Sequence, residues 1–185
     1  MTEKEKVKNG LKYNPNKDLE LIKERQESQH KCFIYNNIDP LNVSERSNCI
    51  KNMIDIKDNF TLEQPIHFDY GYNIHIGSNF FSNYNFTVLD CTDVIIGDNV
   101  FIGPNCSLYT AIHPLDYKER NEGIEEAKPI KIGSNVWLGG SVTVLPGVTI
   151  GSNVVIGAGS VVVRDIESNS VAVGNPCKVI KKLNK

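Results

Sequence analysis

The chain has 185 residues, and its 40% apolar and 23% charged residues provide enough apolar surface for one core or two small ones. Twenty Lys and Arg against 22 Asp and Glu leave a formal charge of −2 with no basic cluster, which argues against nucleic-acid binding through phosphate neutralisation. No apolar run approaches the ~20 residues of a membrane span, and the opening MTEKEKVKNG carries charges where a signal peptide needs its apolar stretch, so a cytoplasmic protein is expected.

Positions 1–60 read as a helical segment. TEKEKVKN predicts a short leading helix ending at Gly10. Asn14-Pro15 and Asp39-Pro40 each offer an N-cap followed by Pro at the first helical position, where a missing N–H costs nothing. KDLELIKERQESQHKCFIY follows the first and LNVSERSNCIKNMI the second, with Leu41, Val43, Ile50, Met53 and Ile54 as candidate packing positions.

From about residue 65 the helix signals stop and short β-branched stretches alternate with Gly, Asn, Ser and Asp. Written in sixes, the second half gives IGSNVW, LGGSVT, VLPGVT, IGSNVV, IGAGSV and VVRDIE, with Ile132, Leu138, Val144, Ile150, Ile156 and Val162 leading. Ile96, Ile102 and Leu108 hold the same register upstream, and Ile76 begins a less regular coil. Neither an α-helix nor a plain strand needs a period of six with Gly so frequent. A coil with three flat sides does: it points every sixth residue inward and stacks the aliphatics in ladders, with Gly or Asn at corners where positive φ is tolerated. Each turn would take three sixes and lie ~4.8 Å above the last. The fold class expected over residues 61–185 is therefore mainly β, a parallel β-helix of hexapeptide repeats.

Between Leu108 and Ile130 the repeat breaks into YTAIHPLDYKERNEGIEEAKP, a loop excursion over about 109–130. Ile96 and Ile132 lie six sixes apart, so the register survives the interruption. Long loops without structure of their own are functional or disordered in compact domains, and this one carries His113, Asp116, Glu119, Arg120, Glu122, Glu125 and Glu126. His30 reads as solvent-facing, and His67 and His75 as outward coil positions. His113 precedes Pro114 and is equally readable as a structural loop residue or as a group that takes and returns a proton near neutral pH. The five cysteines, Cys32, Cys49, Cys91, Cys106 and Cys177, are widely spaced without a CxxC pair and read as reduced, mostly buried thiols.

The strings DYGYNIHIG, FFSNYNFTVLD, IGDNVFIGPN, YTAIHP, KPIKIGSNVWLGG, VLPGVTIGSNVVIGAGSVVVRDI and VGNPCKVIKK, together with the leading TEKEKVKNG, resemble the galactoside/maltose O-acetyltransferase family nearly end to end. The resemblance implies a left-handed β-helix, acetyl-CoA as donor, a sugar acceptor, and a homotrimer with active sites between subunits. It places His113 as general base and Asp69, Asn83, Asp90 and Glu125 along the acceptor pocket. Asn83, Gly140, Ala158, Val163, Arg164, Lys178 and Lys181 match the CoA-binding groove. Relatives can carry an acidic residue where this chain has Cys91, and the acidic residue expected in the N-terminal segment has no counterpart around Pro15.

The implied chemistry is direct transfer. His113 removes the proton of a sugar hydroxyl as it attacks the thioester, and a backbone N–H at Gly140 receives the oxyanion. Arg164, Lys178 and Lys181 would meet the nucleotide phosphates, Asp69 and Asp90 the sugar hydroxyls, and Trp137 would pack outward between subunits. Two rival readings keep the fold. A zinc-dependent carbonic anhydrase needs three converging histidines, which His67, His75 and His113 supply poorly, so no metal is expected. A non-enzymatic scaffold or carbohydrate-binding β-helix would leave the long loop and its histidine without a task.

Overall fold

The computed structural model describes residues 1–184. Three helices open the chain: α1 (Glu3–Lys8), α2 (Leu19–Asn36) and α3 (Val43–Lys51). Thr2 and Glu5 close a capping box on α1, and Gly10 follows its end at φ +65°. The other two helices begin later than the Asx-Pro pairs predict. Asn14 Oδ1 accepts from the Asn16 N–H and Asp39 Oδ1 from the Leu41 N–H, so each Asx-Pro pair forms a turn. A second residue, Asp18 or Asn42, then caps the helix. The same shift frees Leu41 and Val43, which are exposed, while Ile50, Met53 and Ile54 are buried as packing positions.

Strands begin at Asp55 and wind into three parallel sheets, the sides of a left-handed triangular prism. One sheet stacks Asp55–Ile56, Ile74–Ile76, Val94–Ile96, Ile130–Ile132 and Thr149–Ile150. A second runs from Phe60–Leu62 through Phe80–Ser82, Phe101–Ile102, Val136–Leu138 and Val154–Ile156 to Ser170–Val173. The third stacks Ile66–Phe68, Phe86–Leu89, Ser107–Tyr109, Thr143–Val144 and Val161–Val162. Every aliphatic residue of the hexapeptide register is buried, which makes one continuous core along the axis.

The glycine after each aliphatic has a different cause from the one the repeat suggests. Gly97 and Gly133 do not adopt positive φ. A Cβ on Gly97 would sit 2.8 Å from the Gly133 carbonyl carbon, and one on Gly133 would sit 2.7 Å from the Ser152 nitrogen. Glycine is thus demanded by the closeness of stacked coils. Positive φ falls two residues later, on Asn79, Asn99, Asn135 and Asn153, which tolerate the left-handed region; Asn79 stacks its amide on that of Asn99, and Asn153 on that of Asn169.

Both ends of the prism are closed. Tyr35 of α2 donates to the Leu62 carbonyl at 2.5 Å, and Asn36 exchanges two bonds with Ile66, so α2 lies across the first coil. At the far end Lys178–Lys182 returns antiparallel to Ser170–Val173 and presents an exposed, lysine-bearing edge. No helix among the described residues is long and apolar enough to cross a membrane.

Turn length is not uniform. Lys131 pairs with Thr149, and Ser134 meets Ser152 at the expected separation of 18. Asp55 pairs with His75 and His75 with Ile95, and in those coils Asn79 meets Asn99 at a separation of 20. The last turn shortens to 16, from Asn153 to Asn169. The surplus sits at one corner. Phe68 to Ile76 and Val88 to Ile96 each span eight positions where the repeat has six, and at the next level the same corner opens into the excursion before Ile130. Two bulged turns and the excursion therefore stack on one another.

Candidate active site

The bulged corner is built from the inside outwards. Asp90 is fully buried, and its two oxygens accept the Tyr70 and Gly71 N–H groups at 2.9 and 2.7 Å. Desolvation pushes its carboxyl up to about 7, against the pull of those backbone bonds. Expected along the acceptor pocket, Asp90 instead has no open surface and both oxygens engaged; it shapes the turn that presents Asp69. Gly71 is obligatory in that turn, at φ +83° with the Met53 carbonyl oxygen 2.7 Å from where a Cβ would lie. Burial raises the Asp69 carboxyl above its ordinary value, and Arg25 of α2 partly offsets this. In the next turn up, Cys91 directs its thiol at Asp69 Oδ2, 3.8 Å away, and burial pushes that thiol up to about 12.

The excursion has more structure than its composition suggests. Ala111–Ile112 pairs antiparallel with Glu126–Ala127, and the ribbon is tipped by a short helix, α4 (Tyr117–Asn121), capped by Asp116. The ribbon holds His113 and Glu125 opposite one another, with His113 Nε2 4.0 Å from Glu125 Oε1. The His113 side chain is 57% exposed and that of Glu125 16%.

The N-terminal segment completes this corner. Tyr13 and Glu125 exchange backbone N–H···O=C bonds of 2.9 and 2.8 Å, and the Tyr13 hydroxyl donates to Glu125 Oε2 at 2.9 Å. Asn14 Nδ2 donates to the Glu122 carbonyl, and Lys12 pairs with Glu119. Tyr13 is 1% exposed and is not legible in the sequence as a functional residue; its only signal is an aromatic side chain next to the Asn14-Pro15 turn. The corner thus gathers His113, Glu125, Asp69, Cys91 and Tyr13.

The remaining predicted residues lie elsewhere. Asn83, Gly103, Gly139 and Gly140 stack at the corner between the second and third sheets and line a groove of about 580 Å³ with Phe81, Phe101, Pro104 and Trp137. The Gly140 N–H donates to no group among the described residues. Ala158, Val163, Arg164, Lys178 and Lys181 are all exposed. Among the described residues no carboxylate pairs with Arg164, Lys178 or Lys181. One chain therefore carries a corner rich in titratable groups and an apolar groove on different corners of the prism.

Comparison with known proteins shows which family this fold belongs to. Residues 6–55 match the maltose acetyltransferase hexapeptide capping motif and residues 129–164 the bacterial transferase hexapeptide model. A putative acetyltransferase of Saccharomyces cerevisiae is 49% identical over 97% of this chain and 92% of its own length. One of Staphylococcus aureus is 50% identical over 100% of this chain and 93% of its own. A maltose O-acetyltransferase structure from Clostridium difficile superposes with a TM-score of 0.98 at 49% identity, covering 100% of this chain and 99% of that one. The chain belongs to the galactoside/maltose O-acetyltransferase family.

A galactoside acetyltransferase solved in complex with coenzyme A, 42% identical, superposes over 100% of this chain and 92% of that one with a TM-score of 0.96. The protein is accordingly an acetyltransferase of that family. Its capping segment is the helical region that carries Tyr13 to the excursion. His75 faces Asp55 at 3.0 Å, and among the described residues no three His, Cys, Asp or Glu side chains form a metal-holding group.

Proposed function

We propose that the protein moves the acetyl group of acetyl-CoA to a hydroxyl of a sugar, with His113 as general base, in a trimer whose sites form between neighbouring chains. The observation that carries this reading is the exposed imidazole on the excursion, backed by a carboxylate at 4.0 Å. The acceptor oxygen attacks the thioester carbonyl as Nε2 takes its proton. The carboxylate of Glu125 stabilises the imidazolium so formed. The free Gly140 N–H suits the tetrahedral oxyanion. Collapse breaks the C–S bond, and the imidazolium returns its proton to the departing thiolate. Asp69 and the amide of Asn83 remain to accept from and donate to other hydroxyls of the acceptor.

Two features support assembly. The base and the Gly140 groove lie on different corners of one chain, so a neighbouring copy must bring them together. Phe101 and Trp137 stand side by side on the outer face of adjacent coils, each 55% exposed, an apolar ladder that an isolated prism would leave wet. Exposed Arg164, Lys178 and Lys181 suit the phosphates of the donor. The test is a thiol-release assay with acetyl-CoA and a panel of sugars. Acceptor-dependent release supports the reading; a sugar-binding scaffold releases nothing above background. Sedimentation is expected to report three chains per particle, and a monomer that still transfers acetyl groups would overturn the shared site.

A further inference from the structure

From the way the N-terminal segment meets the excursion we infer that Tyr13 is a positioning residue: it holds the Glu125 carboxylate back from His113, so that Nε2 stays free to accept a proton. The inference rests on the general-base reading of His113 given above.

Glu125 has two oxygens with different tasks. Oε2 accepts from the Tyr13 hydroxyl at 2.9 Å, and Oε1 faces Nε2 at 4.0 Å. That second distance is too long for a hydrogen bond yet short enough for electrostatic attraction once the imidazole is protonated. A carboxylate one ångström nearer would bond directly to Nε2 and occupy the position an acceptor hydroxyl needs. The backbone alone does not set this spacing. Paired main chains fix the Cα of Glu125 opposite Tyr13, while the side chain keeps free torsions beyond it. The phenol supplies the missing constraint, and it is itself rigidly held at 1% exposure beside Leu21 and Tyr70.

No other group competes for the role. Among the described residues Tyr13 supplies the only hydrogen bond to the Glu125 carboxylate. Asp69 and Cys91 face the pair from the bulged turns, with Arg25 of α2 acting on Asp69, and Lys12 with Glu119 lies farther along the segment and excursion. Asp69 repels the carboxylate, Cys91 directs its thiol at Asp69 while lying beside the Tyr13 hydroxyl, and Lys12 is engaged by Glu119. The N-terminal cap is therefore a working part of the active corner, tied to it across 112 residues of sequence.

The test compares Tyr13→Phe, Glu125→Gln and the double variant. Tyr13→Phe removes the hydroxyl and keeps the ring, so the fold is retained, as checked by circular dichroism. With the anchor gone, the carboxylate closes on Nε2. Turnover at neutral pH should fall about tenfold, the order expected for one hydrogen bond to a charged group, with the KM for acetyl-CoA unchanged. The acid-side midpoint of the pH–rate profile should move up, because a nearer carboxylate favours imidazolium. Glu125→Gln should move it down. The double variant should match Glu125→Gln alone, since Tyr13 acts only through that carboxylate. A Tyr13→Phe profile identical to wild type, or single effects that simply add, would overturn the proposal. A second readout needs no acceptor: the C2 proton of His113, assigned by its loss in His113→Ala, should titrate higher in Tyr13→Phe and lower in Glu125→Gln. Unmoved midpoints refute the holding role whatever the protein acetylates; moved midpoints with no sugar acetylated refute the function and leave the holding role standing.

Discussion

The coils from Ile130 to Val162 and the corner formed by residues 69–73, 89–93 and 110–129 are stacked in the same prism but obey opposite rules. In the regular coils stacked partners lie 18 apart in sequence, side chains at every sixth position are buried, and glycine is fixed by the backbone above it. At the corner that separation swells to 20, and then to 36 across the excursion, which still keeps register. Carboxylates, a thiol, a phenol and an imidazole collect there. The regular coils tolerate no surplus because a stacked neighbour lies directly above. The corner tolerates it because extra residues can project sideways into solvent or onto the N-terminal segment. Chemistry accumulates where the repeat is relaxed and the ladder beneath keeps it in place.

The sharpest way to break this contrast is at His113. His113→Ala removes a side chain that lies outside every inward ladder, so folding should be unaffected. Turnover should fall by ~10²–10⁴-fold, the usual cost of losing a general base, with little change in CoA affinity. Single-turnover acetyl transfer by the folded variant decides it. Near-wild-type rates would remove His113 from the mechanism and direct the search to Glu125.

The opposite outcome is expected one ladder inward. Leu138 is fully buried, paired between Ile102 and Ile156. Leu138→Ala should cost about 2–5 kcal/mol of stability, as core truncations of leucine do, and leave the chemistry of the remaining folded fraction intact. Denaturant midpoints at constant slope test this. A variant as stable as wild type would mean that the ladder is not continuous at this level.

These two regions are also unequally legible in the sequence. The inward ladder can be read because burial imposes one period on one chemical class, and each of Ile132, Leu138, Val144, Ile150, Ile156 and Val162 is buried. The corner resists because its contacts join residues far apart in sequence. Tyr13 meets Glu125, and Asp90 spends its oxygens on Tyr70 and Gly71, facts that no local pattern encodes. The helix starts differ from expectation for a local reason: an Asx-Pro pair satisfies a turn as well as a cap, and a second Asx residue stands a few positions on. The excursion reads as structureless because each strand of its ribbon is only two residues long, with a helix between it and its partner.

Glycine offers a finer test. Gly97→Ala would place a methyl 2.6 Å from Ser134 Oγ and 2.8 Å from the Gly133 carbonyl carbon, so coil must separate from coil. A loss of about 1–3 kcal/mol is expected, the range for overpacking. Gly159→Ala is the control, at positive φ but with nothing within 4 Å of its Cβ; its cost should be only the roughly 1–2 kcal/mol of left-handed backbone. Gly97 is not at positive φ, so a Gly97→Ala variant as stable as wild type would show that stacking distance is not what reserves this position for glycine.

The smallest effect expected is the pH dependence carried by Asp90. Its carboxyl sits at about 7 in the folded chain and at its ordinary 3.8 when exposed, so the folded state binds the proton more tightly. Stability from this group is therefore fully present below the unfolded value and is lost as pH rises through about 7. Between pH 6 and 8 the loss should amount to about 1.4 kcal/mol, the equivalent of one unit of titration. Other groups change protonation with pH, the raised Asp69 carboxyl among them, and subtraction removes them. Asp90→Asn keeps an oxygen for one of the two backbone N–H groups, loses the other, and cannot ionise. The variant should be the less stable protein at pH 6, and its deficit against wild type should shrink towards pH 8. Parallel stability curves across that range would place the Asp90 carboxyl well below neutrality and make its two backbone bonds, not its burial, the dominant influence on it.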